Sequence, residues 1–210
     1  MPITFYQKIQ AAKDLIKEYL AKYPKSAVAV SFGKDSVALL HLIREINPNI
    51  PVIAVLADTE FPETLALRDK LVKEWKLNYK EYNFVNNGDP KDCCRSLKVE
   101  KFKEALKDYD CWFSGIRKDE GTSRTDFQEV EERGGLVKVN PVLNFTEKDI
   151  WRYIAIKGAP VNPMYEKYRS LSCQKCSAQE EDETLSERAG RWKGTACEGG
   201  ECGIHTQSLR

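Results

Sequence analysis

Hydrophobic positions recur along the chain with two alternating periods. Phe5, Ile9, Ala12, Leu15, Ile16, Tyr19 and Leu20 fall at helical spacing, predicting an amphipathic helix that ends before Pro24. Ala27 to Ser31 is a short apolar run of strand composition, followed by a glycine turn and a helix over Ser36 to Ile46. The unit then repeats. Pro51 to Ala57 reads as a second buried strand with Asp58 and Thr59 at its carboxyl edge, and Pro62 opens a helix whose Leu67, Leu71, Val72 and Trp75 face inward. Asn78 to Phe84 predicts a third strand, Val99 to Leu106 a helix, Cys111 to Ser114 a fourth strand, and Leu136 to Val139 an edge strand. Thr146, with Asp149 three residues on, caps a helix running to Ile156. Strands that alternate with helices predict an α/β fold: a doubly wound, mainly parallel sheet with ligands at the carboxyl ends of its strands. After Gly158-Ala159-Pro160 the long apolar runs stop, and a lid and mobile tail are expected. The nucleotide-binding unit then covers 1–185, and 186–210 forms a C-terminal tail of the same globular body.

Composition narrows the class. A chain of 210 residues, 41% hydrophobic, suffices for one substantial core. Its net charge of +1 offers no global attraction to nucleic acid, and no stretch approaches the ~18 apolar residues of a membrane span. A cytoplasmic protein without a nucleic-acid or membrane partner is expected, and a homo-oligomer is left open. Seven cysteines are an odd number, and four of them form two close pairs, Cys93-Cys94 and Cys173-x-x-Cys176. That spacing suits a sulfur-ligated metal better than a secreted disulfide scaffold. Zinc and an iron–sulfur cluster are both open on this reading, and adjacent cysteines are awkward for zinc. Cys202, in Glu201-Cys202-Gly203-Ile204-His205, is a single thiol on a polar, Gly-rich segment and a candidate nucleophile. Cys111 opens an apolar strand and is expected to be buried, as are Trp75, Trp112 and Trp151.

Ser31-Phe32-Gly33-Lys34-Asp35-Ser36 joins a strand to a helix, where backbone amides face an anion and Gly33 permits close approach to phosphate. It lacks the second glycine and the Lys-Ser/Thr ending of a Walker A loop. This segment resembles the PP-loop family of adenine-nucleotide enzymes, whose pattern is Ser-x-Gly-x-Asp-Ser. Asp58-Thr59 with Phe61-Pro62-Glu63-Thr64, the Gly-x-Arg segment Gly115-Ile116-Arg117 running on to Arg124, Lys138 to Pro141 with Asp149 to Trp151, Arg188 to Trp192, and Glu201 to His205 are similar, in order, to motifs of its adenylylsulfate and phosphoadenylylsulfate reductase branch. The resemblance runs from about Ala27 to His205.

The resemblance implies a [4Fe–4S] cluster on Cys93, Cys94, Cys173 and Cys176, with zinc the weaker alternative. It implies a substrate site including Ser31, Gly33, Lys34, Ser36, Asp58, Thr59, Lys98, Arg117, Arg188, Arg191 and His205. Lys98 lies four residues after Cys94, where a cation would separate an anionic cluster from an anionic substrate. The family's arginine just before it is replaced here by Leu97. Arg188 and Arg191 are spaced to share a helical face and cover sulfonate and phosphate oxygens. The implied reaction is attack by Cys202 on the sulfonate sulfur of adenylylsulfate, resolved by thioredoxin or a similar dithiol protein. Phosphoadenylylsulfate as preferred substrate, a PP-loop tRNA thiolase and a non-enzymatic zinc-stabilised nucleotide-binding module are the alternative readings.

Overall fold

The computed structural model describes residues 3–180, 182, 184–195 and 197–210. Helix α1 (Phe5–Lys22) opens with a capping box in which Thr4 and Gln7 exchange hydrogen bonds. It is followed by β1 (Ser26–Ala29), α2 (Lys34–Arg44), β2 (Pro51–Ala57), α3 (Pro62–Glu74) and β3 (Asn78–Phe84). A short turn of helix, α4 (Pro90–Asp92), runs through a π-turn (Cys93–Leu97) into α5 (Lys98–Leu106). Strands β4 (Cys111–Phe113), β5 (Val130–Arg133) and β6 (Leu136–Val139), then α6 (Glu147–Lys157) and the four-residue α7 (Gly203–Thr206), complete the chain. Thr146 and Asp149 form the expected capping box of α6.

The six strands lie in the order β3-β2-β1-β4-β6-β5. All pairings are parallel except β5 with β6. Period-2 alternation divides the sheet's side chains between two cores. Val28, Val52, Ala54, Leu56, Phe113, Val137 and Val139 face α1, α2, α3 and α6. Ala27, Ile53, Val55, Ala57, Trp112 and Leu136 face α5, the four paired cysteines and the C-terminal segment. The expected α/β sheet, covered on both faces, is therefore the fold.

Three differences from expectation have local causes. Leu136–Val139 is an inner strand, because the polar Val130–Arg133 pairs outside it and forms the edge. Charged residues suit an edge that faces water, and such a strand carries no apolar alternation to read. Helix α2 starts at Lys34 rather than Ser36, since Gly33 in extended conformation serves as its N-cap. Trp151 is 36% exposed, packed edge-on against Tyr165 instead of entering the core.

The C-terminal segment expected as a tail is docked. Cys202, Ile204 and Leu209 are buried against the same apolar face as Trp112. No helix among the described residues is long and apolar enough to cross a membrane. Leu40 is fully buried between α2 and the sheet. Leu40→Ala is expected to lower unfolding free energy by about 2–5 kcal/mol, read from urea denaturation.

Candidate active site

Strands β2 and β3 lie on one side of β1, and β4 on the other, so the chain reverses direction across the sheet between β1 and β4. Helices diverge at such a point and leave a crevice at the strands' carboxyl ends. A cleft opens there. Its floor is Ala29 to Ser31 at the end of β1 and Ser114 to Ile116 after β4, and its walls come from α5 and the C-terminal segment.

The loop after β1 presents unpaired backbone amides to the cleft. No side chain caps α2, so the first amides of the helix are left open, apart from the Lys34 N–H, which donates to the Tyr165 hydroxyl at 2.9 Å. The Ser36 hydroxyl donates to the Gly33 carbonyl at 2.9 Å and lies 3.3 Å from the Ser31 hydroxyl. Phe32, buried at the centre of the turn, has φ 59, a left-handed backbone that a bulky residue adopts only when its surroundings impose it. Gly115 passes directly over this loop. A Cβ there would lie 3.0 Å from the Asp35 carbonyl oxygen and from the Ser36 N and Cα.

Eight of the twelve residues expected to bind substrate or act as nucleophile line the cleft: Ser31, Gly33, Ser36, Lys98, Arg188, Arg191, Cys202 and His205. Lys34 and Arg117 do not. Both are essentially fully buried behind the loop, where Lys34 pairs with Glu187, and Arg117 donates to Asp35 at 2.6 Å and to Glu187. Their charges are thus neutralised inside the protein, and their place is to hold the loop. Asp58 and Thr59 also lie off the cleft wall. Asp58 accepts the Asn86 N–H at 2.8 Å, and the Thr59 hydroxyl faces the Cys173 sulfur. Arg188 and Arg191 sit on a turn closed by Arg191 N–H donating to the Arg188 carbonyl at 2.8 Å, not on a helix. Their guanidinium groups lie 5.4 and 5.9 Å from the centre of the Trp192 ring.

All four paired cysteines are buried in one apolar cluster with Cys202. The Cys173–Cys176 loop is tied to the ends of β2 and β3. Gln174 N–H donates to the Thr59 carbonyl at 2.9 Å, and the Lys175 ammonium donates to the Asn86 carbonyl at 3.0 Å. The same loop carries the arginine turn, through Ala178 N–H to the Gly190 carbonyl at 2.8 Å and Trp192 N–H to the Cys176 carbonyl at 3.1 Å. Asn86 bridges the two pairs, donating to Cys173 Sγ at 3.0 Å and accepting from Cys93 Sγ at 2.9 Å. Among the described residues no three cysteine sulfurs lie within 4.8 Å of one another. A tetrahedral zinc, at about 2.3 Å from each sulfur, would draw them to about 3.8 Å. Buried, hydrogen-bonded thiols from two segments are a donor set that fits a sulfide-bridged iron cluster. The carboxylates of Asp35, Glu120 and Glu187 do converge within 4.8 Å. Lys34, Arg117 and Arg124 pair with them, so the group is a neutralised ion cluster and not a cation site.

Cys202 Sγ donates to the Cys94 carbonyl at 3.5 Å. Its thiol pKa is pushed up, first by hydrogen bonding with the Cys94 sulfur and then by burial, while Lys98 opposes both. The Cys94 sulfur is pushed down, first by hydrogen bonds from Cys176 and Cys202. Against burial, Cys202, Cys94 and Glu60 hold the Lys98 ammonium charged. His205 is stacked on Trp112 at 6.2 Å, and burial and then Lys138 push its pKa well below the ordinary histidine value, so it is a neutral imidazole. Cys111 is buried as expected, and burial pushes its thiol up to about 12.

Glu120, Arg124, Tyr165, Glu187 and Glu201 belong to this site and were not singled out in the sequence. Glu120, Arg124 and Glu201 stand inside the motif segments and were legible there. Tyr165 and Glu187 carry no sequence signal, because isolated charges and tyrosines in loops are usually solvated.

Fold and site together define a mainly parallel α/β protein with a PP-loop-like fold and a cleft at its topological switch point. Residues 25–179 match the phosphoadenosine phosphosulfate reductase domain, and the chain belongs to that family of reductases. It is 34% identical to an adenosine 5'-phosphosulfate reductase of Halalkalibacterium halodurans, over 91% of this chain and 90% of that protein. It is 31% identical to the enzyme of the same name from Bacillus thuringiensis, over 91% and 87%. Among solved structures it resembles the phosphoadenylyl-sulfate reductase of Candida auris, with a TM-score of 0.68, 18% identity, and coverage of 81% of this chain and 90% of that one. The U34-tRNA thiolase of Methanococcus maripaludis shares the fold more distantly, with a TM-score of 0.56, 15% identity, and coverage of 76% of this chain and 66% of that one.

Two predictions test this geometry. Gly115→Ala would set a Cβ 3.0 Å from the backbone of Asp35 and Ser36 and so push the two loops apart. It is expected to destabilise by about 1–3 kcal/mol and to weaken AMP binding, measured by calorimetry. Burial pushes the Lys138 ammonium down to about 8 from 10.5, against Glu131. Between those values the unfolded chain binds a proton that the folded protein has released, so stability rises with pH there; below pH 8 the cost of burying the charge is present in full. Relative to Lys138→Met, the unmodified protein should gain on the order of 3 kcal/mol across that window, read from unfolding curves at each pH.

Proposed function

We propose that the protein reduces adenylylsulfate to sulfite and AMP in sulfate assimilation in the cytoplasm, with Cys202 as nucleophile. One observation carries the reading: the Cys202 thiol and the open amides of the Ser31–Ser36 loop line the same cleft. The loop would hold the phosphate of the adenylate. The Cys202 thiolate attacks the sulfonate sulfur, the bond from that sulfur to the phosphate oxygen breaks, and AMP departs with the electron pair, leaving S-sulfocysteine. A thiolate of thioredoxin or a similar dithiol then attacks Cys202 Sγ. Sulfite leaves with two electrons, and the donor's second thiol resolves the mixed disulfide and releases Cys202.

Both nucleophile and sulfonate are anionic, so fixed positive charge must face them. Lys98 interacts electrostatically with Cys202, and Arg191, held by its Nε donating to the Ser170 hydroxyl at 3.1 Å, lines the same cleft. His205, neutral, offers a hydrogen-bonding imidazole without charge. Cys93, Cys94, Cys173 and Cys176 would hold a [4Fe–4S] cluster, which supplies a redox-active iron core and, with four thiolates, a net charge of about −2. Lys98, beside Cys94, then separates that charge from the substrate's.

Two measurements test the reading. Anaerobically purified protein should carry about four iron and four sulfide per chain, and Cys173→Ser should lose both; colourless, zinc-bearing protein would remove the cluster. Incubated with adenylylsulfate and no reductant, the peptide containing Cys202 should gain SO₃ by mass spectrometry. Cys202→Ala should lose the adduct and at least about a thousandfold in turnover; sulfite release by this variant at an undiminished rate would sink the proposal.

A further inference from the structure

Glu201 stands immediately before the proposed nucleophile, and its side chain is only 4% exposed. One carboxylate oxygen accepts from Arg124 Nε at 2.6 Å. The other accepts from Arg124 Nη2 at 3.1 Å, from Arg188 Nη2 at 3.1 Å and from the backbone N–H of Cys202 at 2.9 Å. Both guanidinium groups are themselves buried, at 4% and 7% exposure. Arg124 is held in turn by Glu120, whose carboxylate accepts the Arg117 N–H at 3.0 Å. An unbroken set of charge-assisted bonds therefore runs from the loop after β4, through Arg124 and Glu201, to the backbone of Cys202.

The chain on the far side of Cys202 is anchored by different chemistry. Gln207 donates to the Arg95 carbonyl at 2.9 Å, Leu209 is buried, and Arg210 donates to the Gly135 carbonyl at 3.0 Å. Between the two anchors lies only the four-residue α7, too short to be stable by itself. The ionic side can thus be weakened without disturbing the other.

We propose that Glu201 is a positioning residue: by clasping Arg124 and Arg188 it fixes the backbone of Cys202 with its sulfur toward the cleft. The inference rests on Cys202 being the nucleophile. A bidentate carboxylate–guanidinium pair is directional, so it sets where the next residue's sulfur stands as well as holding the segment down. Arg191, which does not bond to Glu201, remains available to the sulfonate.

The test uses anaerobic holoenzyme and Glu201→Gln, which keeps the shape and removes the charge. Amide hydrogen exchange of the peptide spanning 200–206, without nucleotide, should speed up about tenfold or more, as expected when one buried charged partner is lost, while the sheet exchanges as before. With adenylylsulfate, formation of S-sulfocysteine should slow about tenfold at unchanged AMP affinity, the split expected of a lost positioning contact. Should Glu201→Gln fail to fold, Glu201→Asp, which keeps the charge but falls short of the bidentate grip, should give the same two changes at smaller size. Unchanged exchange at 200–206, or slower adduct formation accompanied by an equal loss of AMP affinity, would overturn the proposal. The exchange measurement needs no substrate, so its failure is separate from activity surviving in Cys202→Ala, which would remove the underlying reading.

Discussion

The contact on which the site depends is the backbone-to-backbone approach of Gly115 to Asp35 and Ser36. It locks the loop after β1 to the loop after β4, at the point where the chain reverses across the sheet. A parallel sheet leaves its carboxyl edge open where helices diverge. Here that opening is narrowed by one glycine until the strained turn at Phe32 and the amides of α2 stand in a single arrangement. Lys34, Asp35, Arg117 and Glu187 reinforce it from behind. A buried ion pair gains little net stability, but breaking one costs several kcal/mol, so such a cluster serves better to exclude other loop positions than to raise overall stability.

The second consequence concerns how chemistry is divided across the sheet. One face carries an ordinary apolar core beneath four helices, and the other carries the cysteines, the arginine turn and the C-terminal segment against α5 and Trp112. The Cys173–Cys176 loop bonds both to the ends of β2 and β3 and to the arginine turn. Whatever orders those sulfurs therefore also orders Arg188, Arg191 and Trp192. The paired cysteines and the arginine turn are mechanically one unit, as expected when a small domain has a single rigid platform for both.

Much of the fold was legible because its strands are buried on both faces. Continuous apolar runs such as Val52 to Ala57, alternating with helical periods, admit few other readings. Strand β5 escaped because an edge strand exposed to water has no reason to be apolar. In the site, Ser31, Gly33, Ser36 and Cys202 were readable, since glycine turns and reactive thiols have chemical signatures. Lys34 and Arg117 read from sequence as cations facing an anion, and only the folded chain shows Glu187, far along the sequence, paired with both behind the loop.

Local order thus determined which elements form, where the anion-binding turn lies and which sulfurs are paired, because each depends on neighbours a few positions away. Tertiary structure alone decided which charges meet. Whether an arginine faces the cleft or a buried carboxylate depends on residues 70 to 80 positions apart, as with Arg117 and Glu187 or Arg124 and Glu201. Electrostatic interaction acts through space and is strengthened by burial, and neither distance nor burial is written in the order of the residues.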